Sequence, residues 1–194
     1  MRLRLASVLS ALVVLGSAAN AFALDGWRDR RGLLFGLGIG GGIGQAHQDG
    51  ADSDSEVGLN IRARVGGGIN ERLTLDFDVG AHFQNSQVGD VDVSTQVTTG
   101  MVGANFFLMD GLYLRGMFGM GLYDTSADNS KYKGDSEVGL GVGAGAGYEF
   151  FANADLAIGG SFDFRRLFFT VDQGAKNVDV AFDLIGFGIT ATWY

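Results

Sequence analysis

Side-chain character in this chain alternates with a period of two, in eight successive runs between residue 33 and the C-terminus. That period belongs to strands whose two faces meet different surroundings; helical apolar positions recur every 3.6 residues. The first run, LLFGLGIGGGIG (residues 33–44), sets Leu33, Phe35, Leu37, Ile39 and Ile43 against Gly36, Gly38, Gly40, Gly42 and Gly44. Gly36, Gly38 and Gly41 also fit the G-x-G-x-x-G spacing of a dinucleotide loop, but that loop must open a helix and be followed by an acidic residue. Here the glycine alternation simply continues, so the segment reads as a strand with one bare face and one oily face.

The later runs repeat the pattern. Val57, Leu59, Ile61, Ala63, Val65 and Ile69 oppose Asn60, Arg62 and Arg64, and Leu73 through Phe83 oppose Asp76, Asp78 and His82. The fourth run, about residues 93–108, places Val97 and Met101 out of phase with Val102, Ala104, Phe106 and Leu108, which predicts a bulge or phase change. The fifth run carries Arg115 between Leu114 and Phe118. The sixth sets Gly139–Gly147 against Val138–Ala146, with Glu149 continuing the glycine phase. The seventh carries Asp163 and Arg165, and the eighth spans about Val178 to Tyr194. Short connections (Asn70-Glu71, Met109–Gly111, Ala152–Asp155) alternate with longer polar ones (QAHQDGADSDS, NSQVGD, DTSADNSKYKGD, TVDQGAKN).

Eight strands with one short-turn end and one long-loop end predict an all-β, eight-stranded antiparallel up-and-down transmembrane β-barrel. A soluble lipocalin-like barrel has the same strand count but turns its apolar face inward and coats its exterior with charge. Here the non-apolar face is mostly glycine with Arg, Asp, Glu and Tyr, which suits the lining of a narrow barrel. The sequence contains 33 glycines among 194 residues and no proline or cysteine, so no disulfide holds the fold. Absence of proline suits a chain made of hydrogen-bonded ladders.

Arg2 and Arg4, an apolar run from Leu5 to Gly16 and Ala21-Phe22-Ala23 have the layout of a secretory signal peptide, residues 1–23, cleaved after Ala23. The expected organisation is this signal, a short periplasmic segment (24–32) with Trp27 near the interface, and a barrel domain (33–194) with both termini periplasmic. The net charge is −8, which argues against a nucleic-acid partner.

The inward phases collect Arg62, Arg64, Arg115 and Arg165 with Asp76, Asp78, Glu149 and Asp163, a set predicted to pair inside the barrel, where unpaired charges are costly. Strand one should face strand five and strand two strand six, placing Gly36–Gly44 opposite Tyr113 and Arg115, and Gly139–Gly147 opposite Arg62 and Arg64. Such a lumen should conduct little. No cofactor is implied. The acidic loop DGADSDSE offers Asp52, Asp54 and Glu56 as weak metal candidates, but it lacks the EF-hand glycine and distal glutamate and reads as a solvated loop that can bridge anionic lipid through divalent cations. His47 in the first loop and His82 on strand three are the only histidines. A lipid-modifying enzyme would pair one with Ser53, Ser55 or Ser86 and with Asp52 or Asp90, and no spacing singles these out.

The signal peptide, eight alternating strands, turn asymmetry and aromatic C-terminus resemble the small outer-membrane β-barrels of OmpA/OmpX type, over about residues 33–194. The resemblance implies a monomer in the outer membrane of a Gram-negative bacterium, contacting membrane lipid and lipopolysaccharide. It also implies a terminal aromatic recognised by the assembly machinery, here Trp193 or Tyr194. No peptidoglycan-binding tail is expected. The reading of function is a non-enzymatic structural or surface-interaction role; the alternatives are a narrow porin-like conduit and a lipid A acyl hydrolase or transferase.

Overall fold

The computed structural model describes residues 28–48, 51–88, 91–127, 136–172 and 177–194. The expected signal peptide, its cleavage site and Trp27 lie outside these. The strands are β1 (Gly32–Gln48), β2 (Ala51–Asp52), β3 (Glu56–Asn70), β4 (Leu73–Val88), β5 (Val91–Phe107), β6 (Leu112–Ala127), β7 (Glu137–Phe151), β8 (Leu156–Asp172) and β9 (Asn177–Trp193). β2 is a two-residue edge on β1; the other eight pair antiparallel in chain order, and β1–β9 pairing closes them into a barrel.

The register fixes the size of the cylinder. Following directly paired residues from Gly36 through Arg64, Asp78, Met101, Gly119, Gly141, Leu167 and Phe182 leads back to β1 at Ala46, a shear of ten residues (46 − 36). Eight strands with this stagger tilt by roughly 35–45° and leave an interior that side chains can fill. An even shear also lets the alternation between inside and outside continue unbroken around the barrel.

The outer face is apolar. Leu33, Leu140 and Ile189 are 85%, 69% and 65% exposed, and exposed Phe, Val, Ile and Leu occupy outward positions on every long strand. A soluble protein rarely carries a continuous apolar patch of that extent; lipid is the solvent that suits it. No helix among the described residues is long and apolar enough to cross a membrane, and crossing falls to the strands. At 15–17 residues these exceed the ~9–11 that span a bilayer.

Three expectations are corrected. No bulge breaks the fourth run: β5 stays in continuous register with β4 and β6. Val97 and Met101 are simply inward and almost fully buried, because one layer of the lumen is itself apolar. The strands also extend into segments read as loops. His47 belongs to β1, and the first four residues of NSQVGD (85–88) belong to β4, leaving only residues 89–90 between it and β5.

The third correction concerns glycine. The stripes are matched mostly to the adjacent strands, and at Gly44 and Gly141 also to side chains one strand further on (Gln84 and Met101), not to the strands directly across the lumen. A β-carbon on Gly36 would meet Arg64 and one on Gly38 would meet Arg62, both directly paired on β3. On Gly143 it would meet Met117 of β6 and Arg165 of β8. In so narrow a barrel a long inward side chain lies flat over the neighbouring strand, and glycine there leaves it room. Gly111 has a different role: its φ of +114° turns the chain between β5 and β6, where Leu108 N–H donates to Leu112 O at 2.8 Å.

Candidate functional site

All eight charged residues assigned to the lumen point inward. Six of them form two linked clusters in its middle. Asp76 of β4 accepts a fork from Arg115 of β6, Oδ2 from Nη1 at 2.8 Å and Oδ1 from Nη2 at 2.6 Å. Asn105 of β5 donates to Asp76 Oδ2 at 2.9 Å and accepts from Arg115 Nη1 at 2.8 Å. Asp78 joins the clusters, taking Arg62 Nη2 at 2.6 Å on one side and Arg115 Nη2 at 3.3 Å on the other. Arg62 Nη1 reaches Asp163 Oδ1 at 2.9 Å, and Arg165 Nε holds Asp163 Oδ2 at 2.8 Å while its Nη1 donates to Thr99. Alternation dictates this geometry: residues two apart on one strand share a face, so Asp76 and Asp78 stand together and arginines from both sides reach them.

Arg64 and Glu149 lie nearer the end where both described termini meet. Arg64 pairs with no carboxylate among the described residues and donates to Thr192 Oγ1 at 2.7 Å. Glu149 takes Arg30, which precedes β1 and is fully buried. Arg30 Nε donates to Glu149 Oε1 at 3.0 Å, its Nη1 to Asp110 at 3.1 Å, and its guanidinium lies 3.9 Å from the Phe107 ring centroid. Tyr194 O–H also donates to Glu149 Oε1, at 2.8 Å. Burial and the Glu149 carboxylate push the Tyr194 phenol above its ordinary value, so it remains a donor. The segment before β1, the end of β7 and the C-terminal residue therefore meet on one carboxylate and close the barrel base. Tyr194 is thus inward, while Trp193 faces outward against Phe35, with ring centroids 5.9 Å apart.

Toward the long-loop end the lumen turns apolar. Val97, Met101, Met117, Leu167, Phe169, Phe182 and Leu184 form one buried cluster. Beside it His82 is buried, its ring nitrogens 2.9 Å from Asn60 Oδ1 and 2.9 Å from Gln84 Oε1. Between this layer and the charged clusters lies a cavity of about 20 Å³, bordered by Asn60, His82, Thr99, Ser161, Asp163 and Arg165, room for little more than a water molecule.

The hydrogen bonds of His82 and of Ser53 are spent on other partners than each other. His82 takes amide partners. The Ser53 hydroxyl accepts from Ala46 N–H at 2.9 Å and donates to Asp54 O at 3.2 Å. His47 faces outward, with Nε2 3.2 Å from Asp183 Oδ2 on β9, an acid sequence reading did not connect to it. Asp90 lies outside the described residues. For the acidic-loop candidates, no group of three or more His, Asp or Glu able to hold a metal occurs among the described residues.

Residues 9–191 match the family model for the outer membrane protein beta-barrel domain. The chain belongs to that family. It is accordingly an outer-membrane β-barrel protein, in agreement with its closed eight-strand barrel and apolar outer wall. Solved members of this architecture superpose on it. The attachment invasion locus protein Ail of Yersinia pestis shares 18% identity at a TM-score of 0.53, covering 81% of this chain and 98% of that one. Neisserial surface protein A shares 14% at 0.55, covering 82% and 97%. OprG of Pseudomonas aeruginosa shares 12% at 0.50, covering 88% and 100%. At these identities the likeness is one of fold. A search of curated protein sequences found no match.

Proposed function

We propose that this protein is a non-enzymatic barrel of a Gram-negative outer membrane, exported by residues 1–23 and monomeric. Both termini lie in the periplasm, and the structural or surface-interaction role is carried by the long-loop end. The observation that carries this reading is the filled lumen. Two arginine–carboxylate clusters, an apolar layer and the Arg30–Glu149–Tyr194 base succeed one another along the axis, and the cavity between the clusters and the apolar layer is about 20 Å³. A lumen built in this way acts as a core. Transport and lumenal catalysis both need open space, which leaves the loops and the outer wall as places to meet partners. Ail, with the same fold, was solved with the heparin analogue sucrose octasulfate, an instance of a small barrel meeting a polyanion. Trp193, outward at the last strand position, is the better placed aromatic for the assembly machinery.

A deletion strain tests this. Lipid A mass spectra and uptake of small solutes should match the parent strain, whereas surface binding should be lost, and should stay lost when the strain is complemented with a chain whose segments 128–136 and 173–176 are replaced by short turns. A shifted lipid A acylation pattern would favour the hydrolase or transferase reading, and slowed solute uptake the conduit.

A further inference from the structure

Arg166 and Asp183 break the rule of the outer wall. Both occupy outward positions, and they are directly paired across β8 and β9. Exposed apolar side chains flank them on β7 and along their own strands (Phe164 and Phe168 on β8, Leu140 and Val142 on β7, Ile185 on β9), while on the β1 side Asp183 is directly paired with Gln45. Phe168 stands between Arg166 and the long-loop end of its strand, so the pair lies inside the apolar band, close to its upper edge. Charges on the lipid face of a barrel are unfavourable, most at mid-membrane and least near the interface. Ionisable residues at such depths mark functional contacts.

The two partners are not equally satisfied. Asp183 uses both carboxylate oxygens: Oδ1 takes Arg166 Nε at 2.7 Å, and Oδ2 takes Arg166 Nη2 at 2.8 Å and stands 3.2 Å from His47 Nε2. Arg166 spends two N–H groups of five on this fork, and its side chain remains 43% exposed. A pinned guanidinium with its free edge outward is suited to a phosphate, which it can bind bidentately. Just toward the loops, an open cleft of about 520 Å³, bordered by His47, Phe168, Thr170, Asp179 and Ala181, offers space for a headgroup.

We propose that Arg166, oriented by Asp183, docks the phosphate of an anionic membrane lipid whose acyl chains lie along β8 and β9. The inference rests on the outward face being lipid-facing. Purified barrel, stripped of lipid in detergent, is offered phosphatidylglycerol, lipid A or phosphatidylcholine and examined by native mass spectrometry, with Arg166→Gln and Asp183→Asn alongside. Wild type should retain the two anionic lipids about five-fold better than phosphatidylcholine, the equivalent of ~1 kcal/mol for one basic residue at an anionic surface. Arg166→Gln should lose that preference, and Asp183→Asn should keep it, because the amide oxygen still accepts one N–H of the guanidinium while a repelling negative charge is gone. Of the two anionic lipids, the one retained better identifies the natural source. Equal retention of all three lipids by wild type, or a parallel loss in both variants, would overturn the proposal and leave only a structural ion pair. Folding of each variant is read separately from its heat-dependent gel shift. Failure to insert into vesicles would count against the lipid-facing reading of the whole wall, and loss of lipid preference alone against this site.

Discussion

Asp76→Leu should destabilise the barrel by about 3–5 kcal/mol, the usual consequence of removing one partner of a buried ion pair and leaving the other unpaired. Arg115 loses both arms of its short fork and keeps the 2.8 Å bond to Asn105 Oδ1 and, as its one remaining carboxylate contact, the longer 3.3 Å approach to Asp78, while Asn105 loses its carboxylate acceptor. Combining Asp76→Leu with Arg115→Met should recover much of the loss, because paired charges replaced together by apolar groups of similar size are often neutral. Asp78 tolerates the double change, since Arg62 still holds it at 2.6 Å. Urea unfolding in lipid vesicles gives the three differences. A harmless single variant would mean that water already screens these charges. A double variant as damaging as the two singles added together would mean they are not coupled.

Gly143→Leu carries the second large effect, about 1–3 kcal/mol by the usual cost of overpacking. Even the first added carbon would stand 2.9 Å from Met117 Cγ, 2.9 Å from the Phe164 carbonyl oxygen and 3.3 Å from Arg165 Cγ. Ala144→Leu, one residue along and facing lipid, adds apolar surface to an apolar solvent and should be nearly neutral. Met117→Ala should relieve part of the clash, seen as favourable coupling with Gly143→Leu; Arg62→Ala should not, since Arg62 lies beside Gly38 on β3. Equal tolerance at 143 and 144 in vesicle unfolding titrations would refute the packed-lumen account of the glycine stripe.

Period-two alternation made most of this architecture legible, because a strand at a two-phase boundary must sort its side chains by face. Strand number, closure and all eight lumenal charges followed from it. It failed where both faces share one chemistry. Val97 and Met101 are oily and inward, so hydrophobicity alone suggested a bulge that β5 does not have. It was silent where no period exists: Arg30 precedes the first strand, and nothing local marks it as the arginine that will meet Glu149, 119 residues away. The partners of the glycines were misassigned because matching strands across a cylinder ignores where long side chains actually lie. Arg62 and Arg64 bend over the strand they are hydrogen-bonded to, which only the register reveals. Polar segments such as NSQVGD read as loops because polarity outside the membrane carries no face signal, although the ladder continues through residues 85–88.

Whether the lumen is a core or a conduit is decided most directly by current. Purified wild-type barrel in planar bilayers should show no stable single-channel steps, while a variant that thins the base, both charged clusters and the apolar layer together (Arg30→Ala, Arg62→Ala and Arg115→Ala with Met101→Ala, Leu167→Ala and Phe182→Ala) should show them. Large, stable steps from the wild type would contradict the account, since ions would then have a continuous path where Arg62, Arg115 and the apolar layer around Met101 and Leu167 are placed.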